Sequence, residues 1–448
     1  MKGTIMMKKT KYNKKAISRM LMVFLIVIII VIAGISSYFL LFKPAGKQTI
    51  KVGIIFPNTG AFSPFGQSAT QGALLAIKDI NRKGGIKGIN ITAVVGDSQS
   101  DPNVAVSEAE RMITVERVDL VIGAYAASLA MAISQVCENY KVPYYEVIAA
   151  PNGLTLYRGA KYIFRFAPMG LDYGNISARF VVEYACPRMG WDPKQIKIAI
   201  VQEDSPWGES CSDGVETALQ KYGVSPIARL RYSSKSTDLS SLIITLKALN
   251  PDVVFATSYT VDATLFIKQS SELGFRPKLF IGHSAGYETY ATAEAVGDKI
   301  RGIFTVGFPL FAVNYSSLSP EVANERAIFL ESFQSEYGKV PDHWAVLSYT
   351  AIYHVLRKVL EIAIDKYGGI SPDNIRKAFL DVDVPDGNTF KIHGFKAYPP
   401  DHPNAGHNSR ATLAPVCQWM NSSANGFVAV WPANLAVATP IIPPPINW

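Results

Sequence analysis

Gly282-His283-Ser284-Ala285-Gly286 has the Gly-x-Ser-x-Gly spacing of a nucleophile elbow, a sharp strand-to-helix turn that lifts a serine hydroxyl into the open. Histidines follow at His343, His354, His393, His402 and His407, so a Ser–acid–His serine hydrolase can be composed from the chain. No His-Gly-Gly segment precedes the motif to build an oxyanion hole, and an ordinary Gly-containing turn after a strand accounts for the same five residues. His393, Asp401, His402 and His407 crowd a Pro/Gly-rich loop and offer metal ligands, but in a spacing that matches no compact zinc pattern. Cys137, Cys186, Cys211 and Cys417 are too few and too scattered for a disulfide framework, which leaves one or two disulfides or buried thiols open. Asn-x-Ser/Thr occurs at Asn90, Asn175, Asn314 and Asn421, close to what chance supplies. Phe65, Trp207, Tyr259 and Trp344 form a different kind of set: large rings in four separate segments, each expected at a strand end or a helix start. Such rings suit a cleft that stacks on a small solute.

The elements that must position these residues alternate regularly. Ile50–Phe56 is a β-branched run closed by a Gly/Ser/Pro turn. Gly66–Arg82 has helical spacing, with Ala69, Gly72, Ala73, Ala76, Ile77 and Ile80 on one side, and Gly84-Gly85 ends it. Ile89–Gly96, Val118–Gly123 and Lys141–Ile148 read as extended, with helices over Val104–Glu116 and Leu129–Tyr140. A second series follows Arg165: strands at Ile196–Val201, Ile227–Arg231, Asp252–Ala256 and Lys278–Ile281, helices near Asn175–Tyr184, Glu209–Lys221, Leu239–Leu249 and Val261–Leu273. This β-α-β-α order predicts α/β architecture: two doubly wound lobes, each a parallel sheet covered on both faces by helices. Ligands of such sheets bind beyond the carboxyl ends of the strands. The candidates are therefore Phe65, the stretch from Tyr125 through Ala127 and Ser128, the stretch from Tyr145 and Glu146 through Ala149 and Ala150, then Trp207, Tyr259, Ser284 and Trp344. The tail beyond Val384 is rich in Pro, Gly and His, with a strand-like piece at Gly426–Trp431.

From Ile50-Lys51-Val52-Gly53 onward the chain resembles the type I periplasmic-binding-protein family, in its Leu/Ile/Val-binding branch. The likeness runs through Asn58-Thr59-Gly60, Gly66, Gly72-Ala73, the segment Ile80-Asn81-Arg82-Lys83-Gly84-Gly85-Ile86-Lys87-Gly88, Asp97 and Asp101-Pro102. It continues through Val121-Ile122-Gly123, Val142-Pro143, Phe164-Arg165, Trp207-Gly208 and Asp252-Val253-Val254 to the Pro-rich, Trp-ending tail. The resemblance implies an extracytoplasmic solute-binding component of an ABC importer, without catalysis or cofactor, that closes its two lobes on a small polar solute and hands it to permease subunits. The solute it implies is an amino acid of branched-chain type, or a related amide or amine. The apolar wall would fall on Phe65, Tyr259 and Trp344, with Trp207 on the second lobe. The hydroxyls that hold the ligand carboxylate in the family fall here on Ala127 and Ala150, and its acidic partner for the ligand ammonium falls on Ser284. Backbone N–H groups, the helix start near Ser128 and the Glu146 carboxylate are the expected substitutes. The lobes are expected at 50–168 with 309–385, and at 169–308 with 386–448.

Charge and hydropathy place the rest. Nine of the 44 basic residues lie in residues 1–49, with no acid among them, so 35 basic residues face 36 acidic ones over the remainder. A body without a basic surplus does not fit nucleic-acid binding. Met20–Phe42 is a 23-residue stretch without charge, about 34 Å as a helix, enough to cross a bilayer core of ~30 Å. The basic cluster before it predicts a cytoplasmic N-terminus, a single-pass anchor at 20–42, a linker at 43–49 and an extracytoplasmic body. A signal peptide cleaved near Ala33-Gly34-Ile35-Ser36-Ser37, giving a secreted protein, is the competing expectation. The 19 residues before the anchor are too few for a signalling module, which counts against a third reading as the ectodomain of a ligand-sensing receptor.

Overall fold

The computed structural model describes residues 49–411, 414–446 and 448, together with Met22, Phe24, Leu25 and residues 27–32. It divides into two units, Met1–Gln48 and Thr49–Trp448. The expected anchor at 20–42 lies largely outside the described residues. Those described within it are helical with exposed side chains, and no described helix is long and apolar enough to cross a membrane.

In the larger unit the first half opens with β1 (Thr49–Phe56), α1 (Ser63–Arg82), β2 (Asn90–Asp97) and α2 (Pro102–Arg111). β3 (Leu120–Gly123), α3 (Ala127–Tyr140), β4 (Tyr144–Glu146) and β5 (Ile163–Arg165) complete it. Every residue of β1 from Val52 to Phe56 is buried, because helices cover both faces of a parallel sheet. α1 buries the small residues that the spacing picked out. At Gly72 an added Cβ would come within 2.2 Å of the Ala345 carbonyl oxygen, so glycine there sets a close helix–helix approach. α2 starts where Asp101 accepts from the Asn103 N–H at 2.7 Å and Pro102 takes the first position. The helices expected to run to Glu116 and Tyr184 do continue, through wider π-turns at Met112–Glu116 and Phe180–Ala185.

The second half runs α4 (Gly170–Arg179), β6 (Ile198–Glu203), α5 (Pro206–Lys221), β7 (Ala228–Tyr232), α6 (Ser240–Leu249) and β8 (Val253–Thr257). α7 (Thr260–Glu272), β9 (Leu279–His283), α8 (Tyr290–Val296) and β10 (Phe304–Val306) follow. The chain then adds α9 (Pro320–Tyr337), α10 (His343–Thr350), α11 (Arg357–Tyr367) and α12 (Pro372–Asp381) before β11 (Val416–Trp419) and β12 (Phe427–Trp431).

Two sheets result. The first is all parallel in the order β2-β1-β3-β4-β5. The second has the order β12-β11-β10-β9-β8-β6-β7, parallel except for β11 and β12, which the tail adds antiparallel at one edge. In the first sheet the order reverses between β1 and β3, in the second between β6 and β8. Each reversal opens a crevice beyond the strand ends. α10 packs on α1, and α12 brings Phe379 against Phe164 and Tyr145, so these later helices cover the first sheet. The expected division assigns residues from 386 onward to the second lobe, and within that stretch Phe395 and His407 reach strands of the first sheet, while Phe390 reaches α9 and α10. His407 bridges to Arg165, Phe395 packs on Tyr145, and Phe390 lies against Phe329 and Tyr349.

Candidate functional site

Four loops come from the two reversal points: those after β1, β3, β6 and β8. They and the helix starts that follow them carry Phe65, Tyr125, Trp207 and Tyr259. Phe65 stacks on Tyr125 with centroids 5.0 Å apart, and Trp344 stands edge-on to Tyr125 at 5.2 Å. Tyr259 reaches across from the second sheet to within 4.9 Å of Phe62 and 6.1 Å of Tyr125, and the Ala127 N–H points at its hydroxyl from 3.5 Å. Trp207 stands edge-on to Tyr173 at 5.3 Å. Between them lies a cavity of ≈ 390 Å³, and the contacts of Tyr259 with Phe62 and Tyr125 bring its two walls together.

Eight of the expected residues line this cavity: Tyr125, Ala127, Ala149, Ala150, Trp207, Tyr259, Ser284 and Trp344. Phe65 stands one layer back, behind Tyr125. Ser128 is half-buried in the first turn of α3 and off the wall. Ile148, within the stretch 145–150, also lines it, and three further lining residues lie outside the candidates: Tyr173, Ala285 and Leu347. Leu347 had a signal, since it follows Trp344 by three residues on α10 and must share its face. Tyr173 had none, because the helix that presents it was expected to begin only at Asn175.

Two expectations are corrected. Tyr145 is core: its ring packs on Phe379 at 4.9 Å and Phe395 at 5.9 Å, on the helix-covered side of β4. Glu146 is fully buried and offers no oxygen to a ligand. It accepts from the N–H groups of Ala124 (2.7 Å), Ile148 (2.8 Å) and Ala149 (2.6 Å) and from the Tyr144 hydroxyl. Its carboxylate therefore brackets the loops after β3 and β4, both of which form cavity wall. Burial pushes its pKa up to about 7 against these hydrogen bonds. Arg165, its neighbour in register on β5, is equally buried and held down at about 10, by desolvation that outweighs the attraction of Glu146.

The Gly282–Gly286 pentapeptide is a packing device. A Cβ on Gly282 would lie 2.5 Å from the Tyr287 side chain, and one on Gly286 would lie 2.7 Å from the Tyr259 carbonyl oxygen. Only glycines let this turn sit against the loop that carries Tyr259. Ser284 donates to the Glu288 carboxylate at 2.5 Å, and no imidazole hydrogen-bonds to it. His283 is buried between Thr257 and Ser177, at 2.8 and 2.9 Å, and burial drops its pKa to about 3. Glu288 also accepts from the Phe308 N–H at 3.0 Å, in the strand-to-helix crossing between the halves. Burial pushes Glu288 up and the nearby Lys391 well down. The tail histidines disperse: His402 stacks on Tyr398 at 3.9 Å, His393 faces the Gly394 carbonyl, and His407 sits 3.5 Å from Asp172. Among the described residues no three of His, Cys, Asp and Glu form a metal-holding group. All four cysteines are buried and unpaired.

The sequence profile of the family described as periplasmic binding protein matches residues 49–411, which hold the whole first sheet and the second as far as β10. The chain belongs to the periplasmic binding protein family. A Leu/Ile/Val-binding protein homolog of Brucella abortus is 34% identical over 390 residues, 87% of this chain and 93% of that protein. Among solved structures, the branched-chain amino acid transporter substrate binding protein LivJ of Streptococcus pneumoniae, in complex with isoleucine, superposes with a TM-score of 0.67 at 19% identity. That match covers 86% of this chain and all of the other. A solute binding protein of an ABC transporter from R. palustris, in complex with benzoate, gives 0.66 at 21% identity over 87% and 98%. The resemblance read from the motifs is thus borne out, as are the two parallel-sheet lobes of a type I periplasmic binding protein. As a periplasmic binding protein, this chain places alanines at 127 and 150 on its crevice wall, and it buries the carboxylate expected to compensate.

Proposed function

We propose that this protein captures one small solute between its lobes and delivers it unaltered to the permease subunits of an ABC importer. The observation that carries the reading is the convergence of eight expected residues, from six separate segments and both sheets, on one cavity at the strand ends. Each wall alone is an open face, whereas both together enclose a ligand, so the ligand favours the closed arrangement by its preference for two-sided contact. The lobes are proposed as 50–168 with 309–411, and 169–308 with 416–448, a later second boundary than the composition of the tail suggests. Membrane tethering through 20–42, with the body outside the cell, belongs to the same reading. It raises the concentration of captured solute at the permease. The branched-chain amino acid relatives and the benzoate-bound neighbour support a small organic solute without choosing one.

Calorimetry of the full chain with amino acids, amides, small amines and short organic acids tests this. One solute per chain is expected to bind without turnover, with Tyr259→Ala and Trp207→Ala each weakening affinity roughly 10-fold or more, as loss of a buried aromatic wall should. Unchanged affinity in both variants would remove the cavity from the reading.

A further inference from the structure

The wall of the cavity is rich in hydrogen-bond donors and carries no charged side chain. Tyr125 and Trp207 are 4% and 5% exposed, and Tyr125 Oη and Trp207 Nε1 have no hydrogen-bond partner among the described residues. Such groups cost free energy when buried unless a ligand meets them. α3 begins at Ala127 on the same wall, with no side-chain cap and no acid in its first turn. Its first helical bond runs from the Ala130 N–H to Ala126, so the earlier N–H groups have no acceptor in the helix, and that of Ala127, on the wall, points toward the Tyr259 hydroxyl. An uncapped start of this kind favours an anion. α7 starts opposite, at Tyr259, also without a side-chain cap, although Asp262 in its first turn offsets part of its field.

Acceptors are spoken for. Glu146 is closed by four donors. Glu203 takes the Ser205 N–H and hydroxyl and the Gly208 N–H. Glu288 takes Ser284 and the Phe308 N–H. Asp342 caps α10 and accepts from Ser68. None of the four lines the cavity. No carboxylate lines the cavity to meet a ligand ammonium directly, whereas a ligand carboxylate would find donors already in place.

We infer that the solute is a small organic acid with an apolar body and no ammonium group, its carboxylate received at the start of α3 and its body held between the rings. This rests on the reading of the cavity as the solute site. Four probes of one shape separate the possibilities by calorimetry on the full chain: 4-methylpentanoate, leucine (the same acid with an α-ammonium), 4-methylpentanamide and 3-methylbutylamine. The acid should bind at least 10-fold more tightly than leucine or the amide, and the amine should not bind. Trp207→Phe and Tyr125→Phe, which keep the rings and delete the donors, should each weaken the acid roughly 10-fold and leave the thermal melt intact. Leucine binding as tightly as 4-methylpentanoate, or the amide or amine binding best, overturns the inference. In that case, loss of the same binding in Tyr259→Ala preserves solute capture at this cavity. Silence from all four probes also overturns it, and silence from the wider panel as well removes solute capture with it.

Discussion

Glu146 shows how one residue type supports two opposite roles. From the chain alone, a carboxylate at a strand end next to a crevice reads as a ligand contact. In the fold it spends all its acceptor capacity on two loops that form the crevice wall, so it positions the site without touching what binds there. Its folded pKa of about 7 stands above the unfolded carboxylate value of about 4.3, so the folded state holds the proton more tightly. Stability from this group is therefore present below about pH 4 and is lost as pH rises to 7, by roughly 3.7 kcal/mol in total. Buried His393, lowered to about 4, and His283, lowered to about 3, titrate with the opposite sign over an overlapping range. The wild-type curve thus mixes the two effects. The Glu146→Gln variant should lose the downward component, so that the difference between the two denaturant midpoints changes between pH 4.5 and 7. A constant difference over that range would refute the assignment. Tyr145 was misread for a related reason: period-two alternation along β4 says that neighbours point to opposite faces, but not which face meets the crevice.

Among elements, α1 and α10 form the contact that sets the first wall. Gly72 brings the backbones together, and α10 then presents Trp344 and Leu347 to the cavity. A methyl at this point would sit 2.2 Å from the Ala345 carbonyl oxygen, so the helices must part. Gly72→Ala is expected to cost about 1–3 kcal/mol of stability and to weaken solute binding as well, because Trp344 moves with its helix. A thermal melt combined with a titration checks both; destabilisation with unchanged affinity would mean that the wall tolerates the shift. Gly286 has the corresponding role in the second lobe, against the loop that holds Tyr259. Such glycines are visible in the sequence, but the carbonyl each one accommodates lies up to 273 positions away in the chain.

For the whole molecule, closure is the motion that the proposed function requires. In the arrangement described, Tyr259 already touches Phe62 and Tyr125 across the crevice, and little free space remains. A solute that binds only the closed form should raise unfolding stability by about 2.7 kcal/mol at 100 times its Kd, read as a concentration-dependent rise in melting temperature. A melt that does not move with saturating solute would contradict capture between lobes. Tethering makes a separate prediction. The full chain should remain with the membrane after alkaline extraction, and Leu25→Arg with Ile29→Arg in the apolar stretch should release it, given a cost of roughly 2.5–3.5 kcal/mol for each charge near a membrane centre.

The alternation of β-branched runs with helical spacings was enough to determine two parallel-sheet lobes, because periodicity and turn residues are local properties that neighbours in the chain control. Strand ends followed from the same pattern, and with them Trp207, Tyr259, Tyr125 and Ser284. Only the tertiary structure decided that Glu146 faces two loops and not a ligand, that Tyr173 and Ala285 complete the wall, and that Phe395 and His407 pack with the first sheet. These outcomes depend on which face of a strand or helix meets which distant backbone. That is fixed when the sheets and helices pack, by contacts between residues that no local spacing relates.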